Sequence, residues 1–187
     1  MATIEMFYDI VSSYSYLAST RIEAIAADTG HSVVFRPIFL GGLMKAVGNV
    51  PPAQLPARGR HLFVDLQRWS AYYQVPLSFP SRFPMMTLTA QRALIAMAPE
   101  ARIAPTHRLF EAYWVHDRDI NDREVLVDIL GEAEVDAAGT PEAKAALIAE
   151  TGEAERRGAY GAPTFFVGDE MWFGNDRLPF LEQFLRR

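Results

Sequence analysis

The stretch Gly161-Ala162-Pro163-Thr164-Phe165-Phe166-Val167 decides the fold. A proline opening a short apolar run marks the start of a strand whose first residue cannot donate to a ladder. An X-Pro bond is kept cis at such a place because it leaves the preceding N–H and C=O exposed. A trans proline opening an ordinary edge strand is the alternative reading of the same seven residues.

Working outward, Glu170 to Phe173 forms a second short strand after the Gly168-Asp169 turn, and Asp176 begins a final helix with Leu178, Leu181, Phe184 and Leu185 on its inner face. At the other end of the chain Thr3 to Tyr8 alternate as a strand does. Asp9-Ile10-Val11-Ser12-Ser13 then leads into a helix, Tyr14 to Thr29, with Leu17, Ala18, Ile22, Ile25 and Ala26 on one face and Gly30 at its end. Val33 to Phe39 is a further β-branched and aromatic run, closed before Gly41-Gly42. These first forty or so residues spell β-α-β, which favours a right-handed crossover and a parallel pair. Between the two ends, prolines at 51, 52, 56, 76, 80 and 84 fit a linker, one helix around Arg60 to Tyr73 and an extended segment. Thr87 to Met97, Pro105 to His116, Asp122 to Leu130 and Pro141 to Glu150 follow as helices. The expectation is an α/β fold: a thioredoxin-like domain, residues 1–49 and 156–187, interrupted by an all-helical insertion domain, residues 50–155.

The 187 residues are half apolar, enough for a full core, and carry a formal net charge of -5. No Lys/Arg-rich block offers the clustered basic surface that phosphates need, so no nucleic-acid partner is expected. No apolar run reaches the length of a bilayer span, and Glu5 and Asp9 interrupt the first apolar segment where a signal peptide needs continuity. A cytoplasmic protein without a membrane partner is expected. The chain has no cysteine, which removes disulfides, thiolate nucleophiles and most zinc sites. His107 and His116 lie half a helical rotation apart, and His31 and His61 fall in separate segments, so no catalytic metal is expected.

In thioredoxin-like folds the reactive group sits where the first strand gives way to the first helix, facing the proline turn, and here that slot holds Ser12-Ser13. A helix N-terminus favours an anion and lowers a thiol's pKa. A serine there also serves as a simple N-cap, and with two serines one can cap while the other faces the cleft. Without a cysteine the slot can still activate a thiol that arrives with a ligand, the hydroxyl donating to the sulfur, which points to glutathione. The tripeptide's cysteine would pair with the backbone of Ala162 as an added strand. Asn175-Asp176 would supply an acceptor for its ammonium and open N–H groups, Asp176 as an N-cap being the alternative.

Phe7-Tyr8-Asp9-Ile10-Val11-Ser12-Ser13-Tyr14-Ser15-Tyr16-Leu17, then Gly41-Gly42-Leu43-Met44-Lys45 with Gly48-Asn49-Val50-Pro51-Pro52, then Gly158-Ala159-Tyr160-Gly161-Ala162-Pro163-Thr164, and Phe173-Gly174-Asn175-Asp176-Arg177 stand in the order of a known family's motifs. The chain resembles the 2-hydroxychromene-2-carboxylate isomerases and the related kappa-class glutathione transferases over nearly its whole length. By position, the resemblance implies that Ser12 stabilises the glutathione thiolate and that Asn49, Arg58, the backbone of Ala162, Asn175 and Asp176 contact glutathione. This chain departs from the family in having Ser13 where a proline usually follows the serine, so Ser13 can take part. Arg58 stands where relatives can carry lysine, and either cation meets a carboxylate.

The resemblance further implies conversion of 2-hydroxychromene-2-carboxylate to trans-o-hydroxybenzylidenepyruvate in aromatic-compound catabolism. Glutathione thiolate would add to the conjugated carbon and be eliminated after bond rotation. A general glutathione transferase and a non-catalytic thioredoxin-like peptide-binding module are the alternatives. Lys45, after the glycine pair, would receive the substrate carboxylate or else stand solvated. Trp69, Tyr72, Tyr73, Trp114 and Trp172 are expected to pack in the core or between domains. A homodimer is expected because relatives are commonly dimeric.

Overall fold

Apolar side chains alternate along the first strand, β1 (Thr3–Tyr8), and the computed structural model, which describes residues 1–187, buries both faces of it. Ile4, Met6 and Tyr8 point into a cluster of 33 buried residues, while Phe7 points into a second cluster of seven. β1 is therefore central. It pairs in parallel with β2 (Ser32–Pro37) from Thr3 opposite Ser32 to Tyr8 opposite Pro37. On its other side it pairs antiparallel with β3 (Thr164–Val167), Met6 facing Phe165, and β3 forms a hairpin with β4 (Glu170–Phe173). The sheet order is β2-β1-β3-β4.

Helix α1 (Ser13–Asp28) makes the parallel crossover and lies on the first face with α3 (Pro56–Tyr73), α5 (Ile103–Trp114) and the last helix, α9 (Leu178–Leu185). α4 (Leu88–Ala96) and α6 (Arg123–Leu130) complete that side. Leu66, Leu109, Phe110, Trp114 and Leu126 of this helical stretch share one buried cluster with Ile4, Met6 and Tyr8 of the sheet. The second face is covered by α2 (Leu40–Ala46) and α8 (Pro141–Arg156), whose Leu43 and Ala154 meet Phe7 and Phe166.

Two helices escape the sequence reading. α2 runs straight through Gly41-Gly42, residues that favour a break. The pair is needed for packing: a Cβ at Gly42 would stand 2.7 Å from Cδ1 of Phe39, whose ring lies along the first turn of the helix. α7 (Glu132–Ala137) is a short acidic turn set off from α6 by Gly131 at φ +103°. The final helix begins at Leu178 rather than Asp176, because residues Asn175–Arg177 form a tighter 3-10 turn first. Trp114 and Tyr73 are buried as expected, but Tyr72 is 74 % exposed.

Candidate active site

Ser12 sits at the junction of β1 and α1 with an extended backbone, and its Oγ accepts the Ser15 N–H at 3.1 Å. It is the N-cap of α1. The same hydroxyl donates to the Ala162 carbonyl at 2.9 Å, across the chain from the proline turn. The capping and cleft-facing tasks are thus not divided between the two serines. Ser13 is buried as the first residue of α1, and its hydroxyl makes no hydrogen bond within the protein.

The Ala162–Pro163 peptide is cis. Pro163 presents its carbonyl to the Gly174 N–H at 2.9 Å, which pins the Asn175–Arg177 turn beside the proline turn. Asn175 is buried, accepts the Tyr73 hydroxyl on its carbonyl at 3.3 Å, and leaves its side-chain Nδ2 without a partner. Asp176 caps no helix. Its half-exposed carboxylate accepts from Arg177 Nη1 at 2.6 Å.

Asn49 follows α2 and donates from Nδ2 to the Tyr160 carbonyl at 2.8 Å, two residues before Ala162. Hydrogen bonds therefore bring Ser12, Ala162, Asn49 and the Asn175-Asp176 pair around one turn. Arg58 stands apart from that group on the first turn of α3, where it lines a cleft of ≈ 400 Å³ with Tyr14, Pro52, Ala57, His61 and Leu62. Lys45 is exposed on α2 and makes no hydrogen bond or ion pair with the other candidates.

Tyr14 joins the two groups, and its role was invisible in the sequence because only its position in a motif stood out. Its hydroxyl donates to Asp65 Oδ2 at 2.7 Å. Burial first, and then the hydrogen bond and charge of Asp65, hold that hydroxyl well above the ordinary tyrosine range, with a further push from the charge of Asp176. Tyr14 thus forms part of the Arg58 wall and holds its proton. A larger cavity, ≈ 610 Å³, is lined by Glu5, Arg36, Arg102 and Glu150 and contains none of these residues. No three His, Asp or Glu side chains gather as a metal centre requires.

A DSBA-like thioredoxin domain matches residues 3–186. A solved 2-hydroxychromene-2-carboxylate isomerase superposes with a TM-score of 0.87 at 30% identity, over 98% of this chain and 94% of that one. The enzyme of that name from Pseudomonas sp. (strain C18) is 35% identical, over 96% of this chain and 88% of its own. The chain belongs to the 2-hydroxychromene-2-carboxylate isomerase family. The chain is also similar to glutathione S-transferase kappa 1 of Rattus norvegicus, 30% identical over 97% of this chain and 90% of its own. The DSBA-like match, residues 3–186, spans both halves of the sheet and the helical stretch between them.

Proposed function

We propose that this protein is a glutathione-dependent isomerase that converts 2-hydroxychromene-2-carboxylate to trans-o-hydroxybenzylidenepyruvate. The observation that carries the reading is the Ser12 hydroxyl set 2.9 Å from the Ala162 carbonyl in a chain without cysteine, so that the thiol must come with a ligand. The unpartnered Asn175 amide in the turn beside Ala162 and the Arg177-paired carboxylate of Asp176 suit a ligand with carboxylates and an ammonium. Bound glutathione supplies a thiolate that adds to the conjugated carbon and leaves again once the bond has turned.

In this reading Ser12 turns its proton from the Ala162 carbonyl to the sulfur, lowering the thiol's pKa with the help of the α1 N-terminus. The Ala162 backbone orients the cysteine of the tripeptide, Asp176 meets its ammonium, and Asn49 and Arg58 hold its polar ends. The apolar cleft beside Tyr14 and Leu62 takes the aromatic substrate between the sheet domain and the helical stretch 50–155. Lys45 and Ser13 are assigned to the substrate side. A cytoplasmic homodimer belongs to the same reading.

Two assays on the purified protein test this. Chromene isomerisation that requires glutathione is expected. Conjugation of a chlorinated nitroaromatic with no isomerisation would make the protein a transferase instead, the reading that the 30% identical kappa-class relative favours. Peptide affinity with neither reaction would leave a binding module.

A further inference from the structure

Asp9 follows β1 one residue past Tyr8, and it is the only fully buried carboxylate of the chain. Its Oδ1 accepts the Thr87 hydroxyl at 2.6 Å and the Val11 N–H at 3.2 Å, and its Oδ2 accepts the Leu40 N–H at 2.9 Å. Its backbone carbonyl accepts the Ser12 N–H at 2.9 Å. One residue therefore joins the loop before α1, the start of α2 and the residue that precedes α4. Two further side chains of the helical stretch hold the same backbone: Trp114 Nε1 donates to the Ile10 carbonyl at 2.8 Å, and Gln91 Nε2 donates to the carbonyls of Tyr8 and Ile38 at 2.9 and 2.7 Å. The loop carrying Ser12 is thus anchored from below by side chains rather than by a ladder.

We propose that Asp9, with Thr87 behind it, is a positioning residue that fixes where the Ser12 hydroxyl stands relative to the proline turn. The proposal rests on the reading of Ser12 given above. A buried carboxylate held by donors from three segments costs desolvation that an apolar residue avoids, and such groups persist where they fix a unique arrangement. Asn is the informative replacement. A carboxyl group, ionised or not, accepts from all three donors, but an amide NH₂ cannot accept. If the amide oxygen faces the Leu40 N–H, the NH₂ can still donate to the Thr87 oxygen while the Val11 N–H loses its acceptor. In that orientation Asp9→Asn loosens the Ser12 loop and leaves the α2 anchor in place.

The test is a double-mutant cycle, with Asp9→Asn and Thr87→Val each placed in the wild-type protein and in Ser12→Ala. Turnover is measured in whichever glutathione reaction the protein catalyses, glutathione affinity by calorimetry and folding by circular dichroism. Asp9→Asn is expected to lower kcat about tenfold or more while the glutathione Kd stays within about threefold, and to add nothing in the Ser12→Ala background. Thr87→Val is expected to show the same pattern at smaller size, and it decides the matter if Asp9→Asn fails to fold. An equal loss in both backgrounds would make Asp9 structural only. An unchanged kcat in Asp9→Asn beside a damaged Ser12→Ala would overturn this proposal and leave the Ser12 reading standing. A silent Ser12→Ala, or no turnover in either reaction, would overturn both.

Discussion

The Tyr14 hydroxyl donates to Asp65 Oδ2 at 2.7 Å and so fastens the first turn of α1 to the middle of α3. The two helices form the walls of the cleft that also holds Arg58 and His61. Tyr14→Phe keeps the ring and removes the bond. It should lower stability by about 1 kcal/mol, since a half-buried Asp65 regains water, and, if Arg58 holds glutathione as proposed, weaken glutathione binding several-fold through a looser Arg58 wall. Urea unfolding and calorimetry check both. Unchanged values in each would show that the contact shapes nothing.

Ser12→Ala deletes an N-cap and a cross-cleft hydrogen bond at once. The expected stability loss is about 2 kcal/mol, with the Ser15 N–H and the Ala162 carbonyl both left without their partner. If the hydroxyl acts on the thiolate while the rest of the tripeptide is held elsewhere, turnover should fall far more than glutathione affinity, by about tenfold to a hundredfold. Ser13→Ala should matter less. If Ser13→Ala abolishes turnover and Ser12→Ala is almost silent, the roles are exchanged.

Alkaline pH offers a test of packing at the α1 interface. Burial, and to a lesser degree the charge of Glu111, push the Tyr16 hydroxyl up to about 12, and it donates to the Pro76 carbonyl at 2.6 Å. A tyrosine in the unfolded chain ionises near about 10. The folded state therefore holds the proton to higher pH than the unfolded state does, so Tyr16 contributes stability that is complete below the unfolded value and is lost as pH rises through the folded one. Urea unfolding between pH 8 and 11 should show a declining stability that is shallower in Tyr16→Phe. Parallel declines would mean that the environment of Tyr16 does not favour its protonated form.

The strands were legible because their side chains alternate or run apolar between turn residues, and the Ser12 and Pro163 positions were legible because one follows the first strand and the other opens the third in a chain without cysteine. α2 was not, since Gly41-Gly42 speaks for a break in local propensity. Its start is fixed instead by distant partners: Thr151 Oγ1 accepts the Phe39 N–H at 3.0 Å and Asp9 accepts that of Leu40. The same holds for the site. Ser12, Ala162, Asn175 and Asp176 belong to short motifs, whereas the Tyr14–Asp65 contact spans 51 residues and leaves no local pattern. Asp after Asn reads as a cap and puts the start of the last helix two residues early, whereas Pro163 anchors Gly174 and tightens the turn.

Asp176 follows Gly174, whose φ of +98° turns the chain so that a Cβ there would stand 2.6 Å from Asp176 Oδ1. The carboxylate is held close to Gly174, caps nothing, and shares an exposed contact with Arg177. Asp176→Asn should therefore leave stability nearly unchanged, since an exposed pair of this kind contributes at most about 1 kcal/mol. Its charge nonetheless reaches the cleft, where it helps to raise the Tyr14 hydroxyl. If that charge meets the ammonium of glutathione in a partly desolvated cleft, its removal should weaken binding by about 1–3 kcal/mol, which is roughly fivefold to more than a hundredfold in Kd. Titrating glutathione into both proteins at low and moderate salt reads this directly, and the difference should shrink as salt screens the pair. Equal dissociation constants would leave Asp176 outside the glutathione site and would remove the charge partner on which the assignment of that turn depends.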